Sequence, residues 1–559
     1  MRARRTAGAT ALGETVVVCD EAVLRALPEA TEPTAISGTW FDAKTQVTGT
    51  LDACRLGSER VDSLSRLAEI ARSGRLGEVD GAYHLAVRDP DKLLLARDAI
   101  GHSTLFYAPQ GPSGFAYASD IKTLLNRSGA SASDRALDAR AVAAYLSCAY
   151  IPGKGTLFQG VKELLPGHVL EVTSSGHVER PFFALPPEVA AETLSEAGER
   201  EAIRELRALL EETIRETLDP DAEAAASLSG GIDSSIVVAL VQRALARPLH
   251  TFSIAFGAEY KNELEWSSLV ARHVGSEHTI LHLTPEAILA SLDETHALLA
   301  SPIGDPLTVP NAILFRKARE VAGTMWNGEG GDPCFGGPKN LPMLLAELYG
   351  DGENDAAESS PRARSYYRAH LKCFDELPSL LTEQALAVLA DAPLEAEVDP
   401  YFEGERSFVG ALSEINVIWK GGHHILPKVD QLARAAGIRP RSPLFSKNVV
   451  ELASRLPPSL KLRGSVEKYA LKEAVRDILP ASIVDRAKSG MMVPVEGWFQ
   501  GPLLPHARER LLGGALPWDI LRKSAVEALV DGKSRGLRPR RGVKIWLLVA
   551  LESYLRQFA

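Results

Sequence analysis

The sequence lacks the patterns that mark a disulfide framework, a zinc site or a membrane span. Its five cysteines are scattered, and no two of them form a C-x-x-C pair. This spacing argues against both kinds of cysteine site and favours a reducing compartment. No apolar run approaches the roughly 18 residues that cross a bilayer. The basic start, Met1 to Arg5, has no apolar core behind it, so it is predicted to be an exposed tail. These absences predict a cytoplasmic protein.

An excess of positive charge is also missing. The chain carries 62 basic and 72 acidic residues, for a net charge of −10. This balance argues against nucleic acid as the main partner. Hydrophobic content of 45% and charged content of 24% are ordinary for soluble globular proteins. Because 559 residues exceed what one hydrophobic core supports, the chain is predicted to contain more than one domain.

Two kinds of periodicity divide the chain. Up to about residue 185 the apolar residues alternate, as in Tyr83–Arg88, a turn and then Lys92–Ala96, which is typical of a β-hairpin. From about residue 200 short apolar strands alternate with helices, as in Leu249–Phe256 followed by the helical pattern Ser267–His273. Such alternation indicates a parallel sheet covered by helices. We therefore predict a sheet-rich domain over residues 1–190 and an α/β domain over residues 200–559.

The most informative segment is Ser-Leu-Ser-Gly-Gly-Ile-Asp-Ser-Ser, residues 227–235. Apolar runs flank it, which predicts a strand, a tight glycine loop and the start of a helix. Unpaired N–H groups at a helix start attract an anion. Two glycines permit close approach to a phosphate, three serines offer hydroxyl donors, and Asp233 can bind a divalent cation. The alternative is a simple helix cap. Because the lysine of a Walker A loop is absent, another class of nucleotide loop is indicated.

A second glycine-rich segment, Trp-Asn-Gly-Glu-Gly-Gly-Asp-Pro-Cys-Phe-Gly-Gly, spans residues 326–337. Five glycines within ten positions do not suit the interior of a helix or strand, because glycine adds no packing and costs conformational entropy. Such a loop suits close approach of the backbone to a ligand. The sequence therefore predicts a second ligand-binding loop here.

Together with the segment Asp-Arg-Ala-Lys-Ser-Gly-Met-Met-Val-Pro-Val-Glu-Gly-Trp at residues 485–498, these loops resemble the asparagine synthetase superfamily of ATP pyrophosphatases. The resemblance implies an N-terminal Ntn-hydrolase-like sandwich domain related to glutaminases. It also implies a C-terminal parallel-sheet synthetase domain of the adenine nucleotide α-hydrolase type. In this family ATP is cleaved between its α- and β-phosphates to activate a carboxylate as an acyl-adenylate, which an amine then attacks.

The resemblance also implies roles for individual residues, with ATP and Mg²⁺ as cofactors. ATP or pyrophosphate would be bound by Leu228, Ser229, Gly230, Gly231, Asp233, Ser234, Ser235, Ile254, Asn327 and Gly328. Leu228 and Ile254 would sandwich the adenine ring, and Asp233 and Asp332 would hold the metal. Glu329 would act at the acyl-adenylate, and Lys488 would stabilise the charge that develops on the phosphates. Glu467 and Lys468 also fit the family, although a surface helix explains their charges nearly as well.

The N-terminal half departs from the family in its nucleophile, which is a cysteine at the mature N-terminus. Here Arg2 follows Met1, and the first thiol, Cys19, follows an apolar run and is predicted to be a core residue. Glutaminase activity is therefore not expected. The same departure is seen in β-lactam synthetases and lasso-peptide cyclases. In the substrate region Pro333 replaces the family's Glu, and Ala300 and Ser301 replace two acids.

The sequence therefore predicts an ATP-dependent amide-forming ligase whose substrate supplies both the carboxylate and the amine. Macrolactam closure, as in lasso-peptide cyclases, is the leading hypothesis, with a peptide or small-molecule substrate and a precursor-peptide system with its leader protease as expected partners. Neither nucleic acid nor a membrane is expected as a partner. The alternatives are β-lactam synthesis, asparagine synthesis from ammonia or glutamine, and a degenerate scaffold that binds ATP without turnover.

Overall fold

The computed structural model describes residues 46–89, 91–109, 115–126, 134–189, 194–257, 259–260, 262–337, 361–486, 492–534, 536–537 and 539–558. The chain divides into two compact units. The first comprises residues 1–136 and 154–184, and the second comprises residues 137–153 and 185–559.

The first unit is built from antiparallel strands. They are β1 Gln46–Leu56, β2 Glu59–Arg60, β3 Val79–Arg88, β4 Leu93–Arg97, β5 Phe106–Ala108, β6 Ala116–Ala118, β7 Lys162–Glu163, β8 His168–Thr173 and β9 Gly176–Pro181. One sheet has the order β2-β1-β3-β4-β8-β9 and the other β6-β5-β7. Helices Leu64–Arg72, Leu76–Glu78 and Ile121–Leu125 accompany them. The predicted hairpin is confirmed, because Arg88 of β3 pairs with Leu93 of β4.

The central strand β4 of the larger sheet is buried on both faces. Side chains of a strand point alternately to opposite faces. On β4, Leu94 and Ala96 join a cluster with the helix Leu64–Arg72. Leu93 and Leu95 join another cluster that includes Tyr107 of the second sheet. Two sheets packed through such a cluster form a sandwich, as the sequence predicted.

The second unit contains a parallel sheet. Its strands are β10 Ala224–Ser227, β11 His250–Ala255, β12 Glu277–His282, β13 Thr324–Trp326 and β14 Arg439–Arg441, in the order β12-β11-β10-β13-β14. All neighbouring pairs in this sheet are parallel. A small hairpin, β15 Leu462–Arg463 with β16 Val466–Glu467, lies outside it. The predicted α/β class is confirmed.

The second unit also contains many helices. They are Ala139–Cys148, Glu196–Thr217, Ile232–Ala244, Leu264–Val274, Pro285–Ala290, Leu292–Ala297, Thr308–Arg319, Gly331–Phe335, Pro361–Ala369, Phe374–Glu376, Leu377–Leu380, Glu383–Asp391, Leu394–Glu397, Asp399–Phe402, Phe408–Ile415, the π-helix Asn416–Ile425, Leu426–Ala435, Pro443–Phe445, Lys447–Arg455, Pro458–Lys461, Tyr469–Glu473, Ala481–Val484, Val495–Trp498, Leu504–Gly513, Lys523–Val530, Arg541–Leu555 and Arg556–Phe558. Among the residues that the structure describes, no helix combines the length and the apolar character needed to cross a membrane.

The helix Ala139–Cys148 belongs to the second unit although its sequence interrupts the first. The Tyr145 hydroxyl donates a hydrogen bond to the Leu547 carbonyl at 2.9 Å. Just after the helix, the Ala149 carbonyl accepts from the Gly304 N–H at 2.7 Å. Both contacts join this helix to segments of the C-terminal half of the chain.

Candidate functional site

The strand order creates a crevice beside the central strand β10. From β10 the chain continues to β11 and β12 on one side, and it then returns to β13 on the other side. The loops that leave the carboxyl ends of β10 and β13 therefore diverge from neighbouring strands. Ligands of open parallel sheets bind at such a switch point. These two loops are the two glycine-rich segments singled out in the sequence.

The serine hydroxyls of the first loop form hydrogen bonds within the loop. The Ser234 hydroxyl accepts from the Ser229 N–H at 3.1 Å. The Ser235 hydroxyl is buried and donates to the Gly231 carbonyl at 2.8 Å. The N-cap residue of the helix Ile232–Ala244 is Gly231, which has no side chain to cap the helix start. The first N–H groups of the helix thus remain suited to an anion.

The glycines of the two loops serve different purposes. A Cβ on Gly230, whose φ is +79°, would lie 2.5 Å from the Ser267 nitrogen. A Cβ on Gly328 would lie 2.5 Å from the Ser234 nitrogen. A Cβ on Gly231 would meet the Ser229 hydroxyl at 3.4 Å, an ordinary contact distance. Gly230 and Gly328 are therefore required for packing within the protein, whereas the sequence suggested approach of a ligand for both glycines of the first loop.

A buried lysine joins the two loops. Lys468 Nζ lies 2.5 Å from Asp233 Oδ2 and 2.5 Å from Asp332 Oδ1. Burial lowers the pKa of Lys468, but the two carboxylates outweigh burial and raise it above its ordinary value. The structure thus brings together the two predicted metal ligands. It also places between them Lys468, a residue that fits the family but whose charge a surface helix explains nearly as well from sequence alone.

The predicted adenine and ATP residues line the same strand ends. Leu228 and Ile254 are both buried. The Leu228 N–H donates to the Phe252 carbonyl at 2.8 Å, which ties the loop to β11. Asn327 Oδ1 accepts from the Glu329 N–H at 3.1 Å and from the Ser442 hydroxyl at 2.9 Å. The Asn327 carboxamide therefore holds the second loop in shape.

Glu329 is half-buried beside a cluster of charged side chains. Burial raises the pKa of Glu329, although the charge of Lys428 acts in the opposite direction. Lys428 Nζ lies 2.5 Å from Asp305 Oδ2, and His424 Nε2 lies 3.3 Å from the same oxygen. Burial favours the neutral form of Asp305, but Lys428 and His424 hold its pKa well below its usual range. Burial lowers the pKa of His424 to about 4, so its imidazole is neutral at physiological pH.

The C-terminal matched segment reaches the first loop through Arg486. Its guanidinium donates to the Gly230 carbonyl at 3.0 Å and forms an ion pair with Glu263. It also lies over the Trp266 ring, 4.9 Å from the ring centre. Arg486 therefore fixes the start of this segment at the loop. Lys488 lies outside the described residues, and its role stays a prediction.

Asp233 and Asp332 supply the oxygen donors that Mg²⁺ prefers. In the described part of the chain no three His, Cys, Asp or Glu side chains are grouped to hold a metal. Mg²⁺ commonly binds one or two carboxylates together with substrate phosphates and water. The two aspartates, which already share one cationic group, fit a Mg²⁺ that phosphate oxygens also ligate.

The described thiol of the first unit is not arranged for nucleophilic chemistry. Cys54 is buried, and burial raises the pKa of its thiol far above the ordinary value. Cys19, the predicted core thiol, lies outside the described residues. Cys54, Cys148, Cys334 and Cys373 are all free and buried.

Comparison with protein families agrees with this geometry. A family model described as asparagine synthase matches residues 205–556, which is more than half of the chain. A second model, described as a glutamine amidotransferase domain, matches residues 66–183.

Individual relatives belong to the same group. A putative glutamine-hydrolysing asparagine synthetase of Mycobacterium tuberculosis is 28% identical over 473 residues, covering 79% of this chain and 71% of the relative. Asparagine synthetase 1 of Bacillus subtilis is 24% identical over 435 residues, covering 73% of this chain and 66% of the relative. A carboxyethyl-arginine β-lactam synthase of Streptomyces clavuligerus is 25% identical over 491 residues, covering 87% of this chain and 79% of the relative. The chain therefore belongs to the asparagine synthase family and is an ATP-dependent, amide-forming ligase of that family.

Proposed function

We propose that this ligase adenylates a carboxylate and joins it to an amine of the same substrate, and that it closes a macrolactam as lasso-peptide cyclases do. The observation that carries the proposal is a contrast between two parts of the protein. The two loops expected to bind ATP meet at one switch point, whereas the described thiol of the first unit is not arranged to release ammonia from glutamine.

The first half of the contrast concerns activation. A substrate carboxylate oxygen attacks the α-phosphate of ATP, which forms the acyl-adenylate and breaks the bond to pyrophosphate. The first N–H groups of the helix Ile232–Ala244 donate hydrogen bonds to the leaving phosphates. Mg²⁺, when bound by Asp233 and Asp332, would supply positive charge to the phosphate oxygens. The amine then attacks the carbonyl carbon, AMP leaves, and the nitrogen loses one proton.

The second half concerns the amine. Cys54 is buried with a raised pKa, and both Cys19 and Cys54 precede the residues matched by the amidotransferase model. An amine carried by the substrate removes the need for ammonia. It also gains rate from proximity, because attack within one molecule avoids the loss of translational freedom.

The acceptor pocket also departs from that of an enzyme for free aspartate. Ala300, which stands where the family has an acid, is buried, and its carbonyl accepts from the Tyr554 hydroxyl at 3.0 Å. Its N–H donates to Gln431 Oε1 at 2.9 Å. This position therefore contributes to packing. Pro333, which replaces another family acid, is buried in the helix Gly331–Phe335 and offers no side-chain acceptor.

The test is exchange of labelled pyrophosphate into ATP with a panel of carboxylates. The panel contains aspartate with and without ammonium or glutamine, carboxyethyl-arginine, and synthetic peptides with a free amino terminus and one acidic side chain at varied positions. We expect exchange with peptides, AMP formation and a product lighter by one water. The precursor peptide encoded beside a leader protease, if the neighbouring genes supply one, completes the panel.

Asp233→Asn should abolish exchange, whereas Asp221→Asn, at an exposed aspartate ahead of β10, should leave it unchanged. Turnover of aspartate with ammonium would replace the proposal with asparagine synthesis, and turnover of carboxyethyl-arginine would replace it with β-lactam synthesis. ATP binding without exchange on any member of the panel would indicate a scaffold.

A further inference from the structure

Lys468 occupies the position between the two aspartates that a divalent cation would need. Its ammonium lies 2.5 Å from one oxygen of each carboxylate, and the side chain is fully buried. We propose that Lys468 is a positioning residue that stands in for the metal between Asp233 and Asp332 until the nucleotide brings the metal. This inference rests on the proposed use of ATP.

The backbone shows that this placement is imposed by the fold. Lys468 has a φ of +56° and a ψ of +37°, a left-handed conformation that is costly for a residue with a Cβ. The hairpin of β15 and β16 ends immediately before it, and the helix Tyr469–Glu473 begins immediately after it. The packed elements on both sides therefore hold the ammonium at the two carboxylates.

Electrostatics make the lysine and a bare metal ion exclude one another. A Mg²⁺ ligated by the same two carboxylates would lie a few ångströms from the ammonium, and at that separation like charges repel strongly in a buried site. The displaced ammonium would also be left buried without a counter-charge, which is costly. A triphosphate changes this balance, because its oxygens give the ammonium a new acceptor while they ligate the metal. The metal should therefore bind together with the nucleotide and not before it.

The test measures metal binding without turnover. Mn²⁺, which is paramagnetic, replaces Mg²⁺, and its binding is followed by electron paramagnetic resonance with and without α,β-methylene-ATP, which resists cleavage at the α,β-bridge. Wild type should bind Mn²⁺ weakly alone and at least tenfold more tightly with the nucleotide. Lys468→Met should bind Mn²⁺ alone at least tenfold more tightly than wild type does, because the ammonium that competes with the metal for the two carboxylates is then gone.

Thermal unfolding gives a second readout. Mg²⁺ alone should raise the Tm of Lys468→Met by about 2 °C or more, since a ligand that binds the folded state stabilises it. It should leave wild type within about 1 °C. Lys544→Met is the matched control. Lys544 is also buried, but its ammonium forms an ion pair with Glu376 and not with either aspartate.

A further variant separates loss of the lysine from damage to the fold. In Lys468→Met/Asp332→Asn the repulsion between carboxylates is gone, so this variant should be stable without metal and should not respond to Mg²⁺. Equal Mn²⁺ affinity of wild type and Lys468→Met without nucleotide would overturn the inference, as would a Lys468→Met that fails to fold with and without Mg²⁺. If wild type does not bind α,β-methylene-ATP with Mn²⁺, the proposed function fails instead.

Discussion

Replacing Lys428 with methionine should destabilise the second unit, because the Asp305 carboxylate then loses its ion-pair partner. Lys428 is 3% exposed, and its ammonium lies 2.5 Å from Asp305 Oδ2. Removing one member of a buried ion pair costs about 3–5 kcal/mol, because the remaining charge stays desolvated. The Asp305 side chain is 21% exposed and His424 lies 3.3 Å away, so we expect the lower end, about 3 kcal/mol.

The loss should depend on pH. Burial, with a contribution from the Lys428 charge, keeps the pKa of His424 at about 4 in wild type. In Lys428→Met the imidazole should accept a proton more easily and take over part of the role of the ammonium. The difference in unfolding free energy between wild type and variant should therefore be larger at pH 8 than at pH 5.5.

Urea denaturation followed by tryptophan fluorescence is a suitable assay, because six of the seven tryptophans lie in the second unit. The double variant Lys428→Met/Asp305→Asn should regain at least half of the lost stability, because position 305 then carries no charge that has lost its ion-pair partner. Lys533→Met, at a lysine whose side chain is 77% exposed, should change stability by under about 0.5 kcal/mol. A loss below about 1 kcal/mol for Lys428→Met, or a double variant no more stable than the single one, would refute the reasoning.

Three further changes test the site and its surroundings. Gly328→Ala should weaken ATP binding at least tenfold in calorimetry, because the new Cβ would meet the Ser234 nitrogen at 2.5 Å; Gly323→Ala, which meets nothing within 4 Å, should bind normally. His296 is fully buried with a pKa lowered by burial to about 4, so its contribution is complete above pH 6.5 and is lost as the pH falls towards 4. It amounts to roughly 3 kcal/mol, so His296→Asn should flatten the dependence of Tm on pH in that window, and an unchanged pH dependence would contradict this. Arg486→Lys should slow pyrophosphate exchange at least tenfold with little change in Tm, because lysine cannot contact the Gly230 carbonyl and Glu263 as a planar fork does; an unchanged rate would show that this contact is dispensable.

The local features of the site could be predicted from the sequence, and its long-range contacts could not. The strand Ala224–Ser227, the loop after it and the helix Ile232–Ala244 follow from patterns within about twenty residues. Lys468 is different: beside Glu467 and Lys472 it resembles part of a solvated helix, and only the packed fold shows that it is buried against two aspartates.

The cluster around Asp305 illustrates the same limit. Asp305 and Lys428 form a close ion pair, but 123 positions of the sequence separate them, and no periodicity relates the two. His424 belongs to a π-helix, a rare element that is often found at functional sites and that has no simple sequence signature. The purpose of Gly230 was also hidden, because the neighbour that requires a glycine, Ser267, lies 37 residues further on.

The helix Ala139–Cys148 bears on how the enzyme can be dissected. A truncated chain that starts near residue 200 would retain every residue of the ATP site and still lack this helix. Without the helix, the apolar surface that it covers would be exposed. The Leu547 carbonyl would also lose the hydrogen bond that the Tyr145 hydroxyl donates. Such a fragment should aggregate, and supplying residues 137–153 as a separate peptide or as a linked segment should restore its solubility.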